Sequence, residues 1–252
     1  MSLIKTEKEI EILKQGGKKL SRILNSVVKK AKPGVNTAEL NALATKLIFE
    51  NGGEPSFLHY GRPPYPATLC TSVNEQLVHG IPGNYALKSG DILSLDIGMK
   101  YPAVGGLYTD MAVTIAIGKV DKQIKHLLKV TRAALDIWVD NVKPGRFLND
   151  IARLVESSIE KNGMSVIRDY AGHGVGHAVH EEPLVPNYYA ERPRIELKAG
   201  MVLAFEPMVA LGMANTKTLG DRWTVVMTDG STCAHFEHTV AVTKKGCKVL
   251  TK

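Results

Sequence analysis

Apolar positions recur at helical spacing in four segments of the chain. Ile10, Leu13, Leu20, Ile23, Leu24, Val27 and Val28 form the first stripe, behind a capping box in which Thr6 precedes Glu9 by three residues. Pro33-Gly34 requires this helix to end by Lys32. A second helix starts at Asn36 or Thr37, carries Glu39 in its first turn and closes at Asn51-Gly52-Gly53, a left-handed cap signature. Leu127, Leu128, Leu135, Trp138, Val139 and Val142 make the buried stripe of a third, running from about Lys122 to Val142. The fourth spans Phe147 to Lys161 and stops at Asn162-Gly163. Between the helical pairs, Ala67 to Val73, Asp91 to Gly98 and Leu107 to Ile117 are strand-like runs.

The punctuation of these elements repeats. Lys32-Pro33-Gly34 precedes a helix ending at Asn51-Gly52, and Lys143-Pro144-Gly145 precedes one ending at Asn162-Gly163, an offset of 111 at both ends. Leu87-Lys88-Ser89-Gly90 leads to Asp96, and Leu197-Lys198-Ala199-Gly200 leads in the same way to Glu206. Asp110 and Glu237 each open a strand-like run. Three matches in one order predict a duplicated unit with a pseudo-twofold axis, over about 32–118 and 143–245 of a single domain spanning 1–252.

The carboxylates carry the chemistry. Asp96 and Glu206 lie in runs that are apolar on both sides of the acid, which is the pattern of a buried strand, where an unpaired carboxylate costs several kcal/mol. Related hairpins would bring Asp96, Asp110, Glu206 and Glu237 together between the halves. Four such acids cannot all stay ionised without cations, and hard oxygen ligands suit divalent ions, two in preference to one. Gly172 to Pro183 adds His173, His177 and His180. A zinc-protease helix there is disfavoured by Gly174 and Gly176 and by the lack of Glu after His173. On an extended segment His173 and His177 point one way and His180 the other unless a bulge intervenes, so spacing alone does not choose the ligand. His79, in His79-Gly80-Ile81-Pro82, mirrors His180-Glu181-Glu182-Pro183. His59, His126, His177, His235 and His238 are read as surface or structural.

These residues resemble the type I methionine aminopeptidases over essentially the whole chain. The motifs that carry the resemblance are Asn74-Glu75 with His79-Gly80-Ile81-Pro82, Leu95-Asp96-Ile97-Gly98, Thr109-Asp110, Gly172-His173-Gly174-Val175-Gly176 with the second histidine motif, Phe205-Glu206-Pro207-Met208, and Phe236-Glu237-His238-Thr239. The resemblance implies an α/β (α+β) pita-bread fold, with duplicated helix-hairpin halves around a central antiparallel sheet. It implies a metalloaminopeptidase that removes the initiator methionine from nascent proteins when the second residue is small. Two divalent ions, of Co, Mn, Fe or Zn, would be bound: Asp96 chelating one, Asp110 and Glu237 bridging both, His173 and Glu206 completing the second. A hydroxide held between the ions would attack the first peptide carbonyl, Glu206 would shuttle the proton, and His79 and His180 would hydrogen-bond the substrate amide and the tetrahedral intermediate. Tyr60, Tyr65, Cys70 and Trp223 would form the methionine pocket.

The chain departs from that family at three places. Asp96 and Asp110 are about three residues further apart, and Pro102 with Gly105-Gly106 places the extra length in the turn, so both acids keep their face. The segment Gly61 to Tyr65 is two residues longer. Val179 stands where an aromatic residue is common, which predicts a wider pocket wall.

Composition narrows the field further. With 252 residues, 44% hydrophobic and 23% charged, the chain is an ordinary soluble domain and not a disordered, collagenous or disulfide-stapled one. Its longest apolar stretch, Gly200 to Ala214, is broken by Glu206 and Pro207, which excludes a membrane helix. Lys5, Glu7, Lys8, Glu9 and Glu11 stand where a signal peptide is apolar, and Cys70, Cys233 and Cys247 form no CxxC pair, so a cytoplasmic protein is expected. The net charge of +7 is scattered, which suits either general solubility or long-range attraction to ribosomal RNA; neither specific DNA nor a membrane is called for. Without a heptad stretch, a monomer is expected rather than a coiled-coil dimer. Two other functions fit parts of the pattern. An Xaa-Pro aminopeptidase or creatinase relative would carry a further N-terminal domain, where only about 30 residues precede Pro33. A binding module that lost its metals would lack ligands, and all five are present.

Overall fold

The computed structural model describes residues 3–252. Four helices, Glu7–Lys30 (α1), Thr37–Glu50 (α2), Lys122–Asn141 (α3) and Leu148–Glu160 (α4), accompany fifteen short strands among the described residues. The strands are Glu54–Pro55 (β1), Leu69–Val73 (β2), Gln76–Val78 (β3), Ile92–Tyr101 (β4), Leu107–Ala116 (β5), Ser165–Val166 (β6), Gly172–Gly174 (β7), Glu181–Val185 (β8), Val202–Phe205 (β9), Met208–Ala210 (β10), Thr216–Thr218 (β11), Val225–Met227 (β12), Cys233–His235 (β13), His238–Val242 (β14) and Cys247–Val249 (β15). The class is mixed α/β, and the strands pair antiparallel. One sheet runs β1-β4-β2 with β5 also on β4; a second runs β15-β14-β9-β7-β8; two three-stranded sheets, β13-β10-β6 and β11-β12-β3, complete the layer.

The helix ends follow local chemistry. Thr6 caps α1 through a full capping box with Glu9, and Asn36 caps α2 through one with Glu39, so orphan amides of each first turn find oxygen partners. α1 and α2 pack on β2, β4 and β5 through Leu20, Leu24, Leu40, Ile48, Leu93 and Leu95. α3 and α4 pack on β9, β10, β13 and β14 around Trp138, whose ring stacks on Phe205 at 4.7 Å between centroids. Gly17 interrupts the apolar stripe of α1 for a steric reason: a Cβ there would lie 2.5 Å from the Leu250 carbonyl oxygen, so the chain beyond β15 passes directly against the helix backbone.

The same connections recur in both halves. Gly34 N–H donates to Leu87 O at 2.8 Å and Gly145 N–H to Leu197 O at 2.9 Å; Thr37 N–H reaches Tyr85 O and Leu148 N–H reaches Ile195 O. Gly90 N–H donates to Ile117 O and Gly200 N–H to Val242 O, each at 2.9 Å. The halves meet through β5 and the segment around β14. Thr239 Oγ1 accepts from Asp110 N–H at 2.9 Å and donates to Asp110 O at 2.7 Å, while Glu237 N–H donates to Ala112 O. Thr114 reciprocates, its hydroxyl donating to His235 O at 2.7 Å and accepting from His235 N–H.

Candidate metal centre and active site

Register places the first two acids. β4 and β5 pair without interruption from Ile92↔Ala116 to Tyr101↔Leu107, so no residue is inserted within the strands and the turn lies beyond Tyr101 at the tip. Asp110 lies opposite Gly98, two positions from Asp96, and residues two apart on a strand share a face, which makes the acids diagonal neighbours. His173 on β7 pairs with Ala204 on β9, and Glu206 follows that strand directly. Glu237 lies between β13 and β14, its backbone bonded to β5. Ligand atoms of Asp110, His173 and Glu237 lie within 4.8 Å of one another, and His173 Nε2 is 3.5 Å from Glu206 Oε1.

One cavity of about 180 Å³ collects every residue the sequence nominated. Asp96, Asp110, His173, Glu206 and Glu237 line it together with His79 and His180, and Tyr60, Tyr65, Cys70 and Trp223 form another part of the lining. Tyr65 and Trp223 meet edge to face at 5.2 Å, and His79 packs edge-on against Trp223 at 5.8 Å. Phe57 lines the cavity and shares an apolar cluster with Tyr65, Cys70 and Val179.

The electrostatics are those of acids crowded away from water. Burial, and then repulsion from Asp110 and Glu206, pushes Asp96 well above the carboxylate range. Burial and Glu206 raise Asp110 to about 7, and burial raises Glu206 to about 8. Glu237 is pushed far up by burial and by Asp110, Glu206 and Asp96. Asp96 Oδ1, Asp110 Oδ1 and Glu237 Oε1 are buried without a hydrogen-bond partner. Orphaned carboxylate oxygens from two halves, with an imidazole among them, are the donor set that a hard or borderline divalent cation satisfies. Burial holds the histidines neutral, lowering His79 to about 4 and His173 to about 3.

Residues outside the nominated set also shape the site. His235, read from the sequence as surface or structural, is buried with Nε2 3.4 Å from Glu206 Oε2, and burial lowers it to about 3. It stands two residues before Glu237, and that spacing was its one sequence signal. Asn187 accepts from Trp138 Nε1 and donates to Glu206 O at 3.0 Å, fixing the backbone of that acid to the core beneath α3 and α4. His177 turns away from the cavity: its Nε2 pairs with Glu9 Oε1 at 2.5 Å. Glu181 accepts from the amides of His177 and Ala178 and pairs with Lys5 Nζ, both side chains being buried. The loop between His173 and His180 is thereby tied to the segment that opens α1.

Comparison with known proteins agrees with this geometry. The model of Metallopeptidase family M24 matches residues 11–244. Methionine aminopeptidase 1 of Bacillus subtilis is 42% identical over 252 residues, covering 100% of both chains. The chain belongs to metallopeptidase family M24. Within M24, the methionine aminopeptidase of Clostridium perfringens is 41% identical, over 100% of this chain and 99% of its own. The crystal structure of the methionine aminopeptidase from Thermotoga maritima superposes with a TM-score of 0.94 at 41% identity, covering 99% of this chain and 98% of that one. Prolidase from Pyrococcus furiosus, at 24% identity and a TM-score of 0.78, shares the pita-bread fold of the family.

The crowded acids of this M24 site set a pH dependence for the metal-free protein. Raised carboxyl pKa values mean that the native state binds more protons than the unfolded chain, so stability falls as pH rises toward the folded values. The depressed histidines act oppositely, but only below their ordinary 6.5. Between pH 6.5 and about 8 the acids act alone, and the unfolding free energy of chelator-treated protein decreases across that window. Urea titrations with and without a divalent ion check this: the ion abolishes the decline, and a flat metal-free profile would contradict the crowding.

Proposed function

We propose that the chain removes the N-terminal methionine from newly made proteins whose second residue is small. The observation that carries this reading is the single cavity in which acids from both halves, His173, and a pocket of Tyr60, Tyr65, Cys70 and Trp223 meet. Asp96, Asp110, His173, Glu206 and Glu237 would hold two divalent ions, of Co, Mn, Fe or Zn, and the orphaned oxygens of Asp96, Asp110 and Glu237 fit that task. When bound, such ions lower the pKa of a water and polarise the scissile carbonyl.

The side chains do the rest. Glu206, which His173 Nε2 and His235 Nε2 approach at 3.5 and 3.4 Å, takes a proton from the attacking water and passes it to the leaving amine. His79 and His180, neutral and outside the ligand set, donate to the substrate amide and to the developing oxyanion; one such donor contributes about 3 kcal/mol. The thioether of methionine lies against aromatic edges and the Cys70 thiol, surfaces polarisable enough to reward sulfur. The two halves, with their recurring hydrogen bonds, act as one catalytic domain. The protein works in the cytoplasm as a monomer, and its charge of +7 favours the neighbourhood of ribosomal RNA.

Hydrolysis of Met-Ala-, Met-Lys- and Ala-Pro-headed peptides by protein reconstituted with each metal tests the reading. Only the Met-Ala peptide is expected to be cleaved. Ala-Pro cleavage would assign the site to Xaa-Pro substrates, and no turnover with Mn, Co, Fe or Zn would make the chain a binding module.

A further inference from the structure

The loop from Phe57 to Tyr65 folds back on itself. Tyr60 N–H donates to Phe57 O at 2.9 Å, Tyr65 N–H to Tyr60 O at 2.7 Å, and His59 N–H to Tyr65 O at 2.8 Å. Gly61, at φ +76°, faces Trp223 so closely that a Cβ would lie 2.6 Å from Cη2 of the indole. The Tyr65 hydroxyl donates to Gly80 O at 2.9 Å, next to His79. Held this way, the half-exposed Tyr60 sets its ring 5.2 Å from that of His180, inclined by 60°, with its hydroxyl 2.7 Å from His180 Nδ1.

The acid–base chemistry of the pair identifies the donor. A phenol O–H is a stronger hydrogen-bond donor than a neutral imidazole N–H, and an imidazole lone pair is a better acceptor than a phenol oxygen, while 2.7 Å is a close contact for either arrangement. The geometry points to Tyr60 as a positioning residue: its hydroxyl donates to His180 Nδ1, which places the ring proton on Nε2 and leaves that N–H as the one offered to the substrate oxygen. A histidine whose Nδ1 carried the proton would present a lone pair there and repel a developing oxyanion. Fixing a tautomer through the far nitrogen is a general device for aligning a working imidazole. What the proton does depends on the aminopeptidase reading; where the proton sits does not.

Long-range proton–nitrogen correlations on imidazole-labelled, metal-free protein near pH 7.5 test this, with His180→Ala identifying the signal. In the unmodified chain His180 is expected to show a protonated Nε2 and a bare Nδ1. Tyr60→Phe, which removes only the hydroxyl, is expected to give a mixture of tautomers and, in reconstituted enzyme, a kcat on Met-Ala peptide about 10-fold lower with KM within about twofold. Protonated Nδ1 in the unmodified chain would overturn the proposal. So would a Phe variant with the tautomer unchanged. An unmodified chain without peptidase turnover would sink the aminopeptidase reading alone, and the spectrum would still decide the tautomer.

Discussion

Asp110→Asn abolishes turnover of Met-Ala peptide, by about 10³-fold or more, while the protein stays folded. Asp110 faces the same cavity as Asp96 because the β4–β5 register is continuous, and its carboxyl joins His173 and Glu237 in one compact ligand set. Asparagine keeps the shape and loses the anionic oxygen, so the charge that would hold a cation is missing where the chemistry needs it. The backbone is secured independently, because the Thr239 hydroxyl grips both Asp110 N–H and Asp110 O. With one fewer of four mutually repelling acids, the metal-free variant should melt higher than the unmodified chain at pH 8, although its calorimetric affinity for divalent ions falls. Retained turnover would mean that Asp110 does not serve the site.

Lys5→Met lowers stability by about 3 kcal/mol or more, which is roughly 6–12 °C in melting temperature for a chain of this size. Lys5 and Glu181 pair at 2.5 Å with 1% and 7% of their side chains exposed, so removing the cation strands a buried anion. Burial by itself would raise Glu181, yet the Lys5 ammonium and the amides of Ala178 and His177 hold it below the usual carboxylate range. Glu181→Gln in the Lys5→Met background should recover a large part of the loss, since the amide oxygen still accepts from both backbone N–H groups and carries no charge. A Lys5→Met protein melting within 2 °C of the original would show that the pair contributes little.

The helices were legible because their signals are local. The capping box at Thr6, the start at Asn36 or Thr37 with Glu39 in its first turn, apolar stripes and the Pro-Gly and Asn-Gly stops placed all four to within two residues. The acids were legible because Asp96 and Asp110 are each the lone acid of a strand and Glu206 and Glu237 each flank an apolar one. What the sequence hid are pairings across long separations. Lys5 meets Glu181 from 176 residues away, Thr239 grips Asp110 across 129, and Tyr60 reaches His180 across 120. No periodicity records such contacts. His177 illustrates the limit: its neighbours placed it beside the site, whereas its partner is Glu9, already engaged in the cap of α1.

The grip of Thr239 on Asp110 is a contact that synthesis completes late. Synthesis releases Asp96 and Asp110 long before Glu237, which follows Asp110 by 127 positions. Leu250 N–H then bonds Thr239 O and its carbonyl lies against Gly17 of α1. An emerging polypeptide therefore holds an incomplete set of acids, and an Asp110 whose backbone lacks its threonine partner, until Glu237 and Thr239 leave the ribosome.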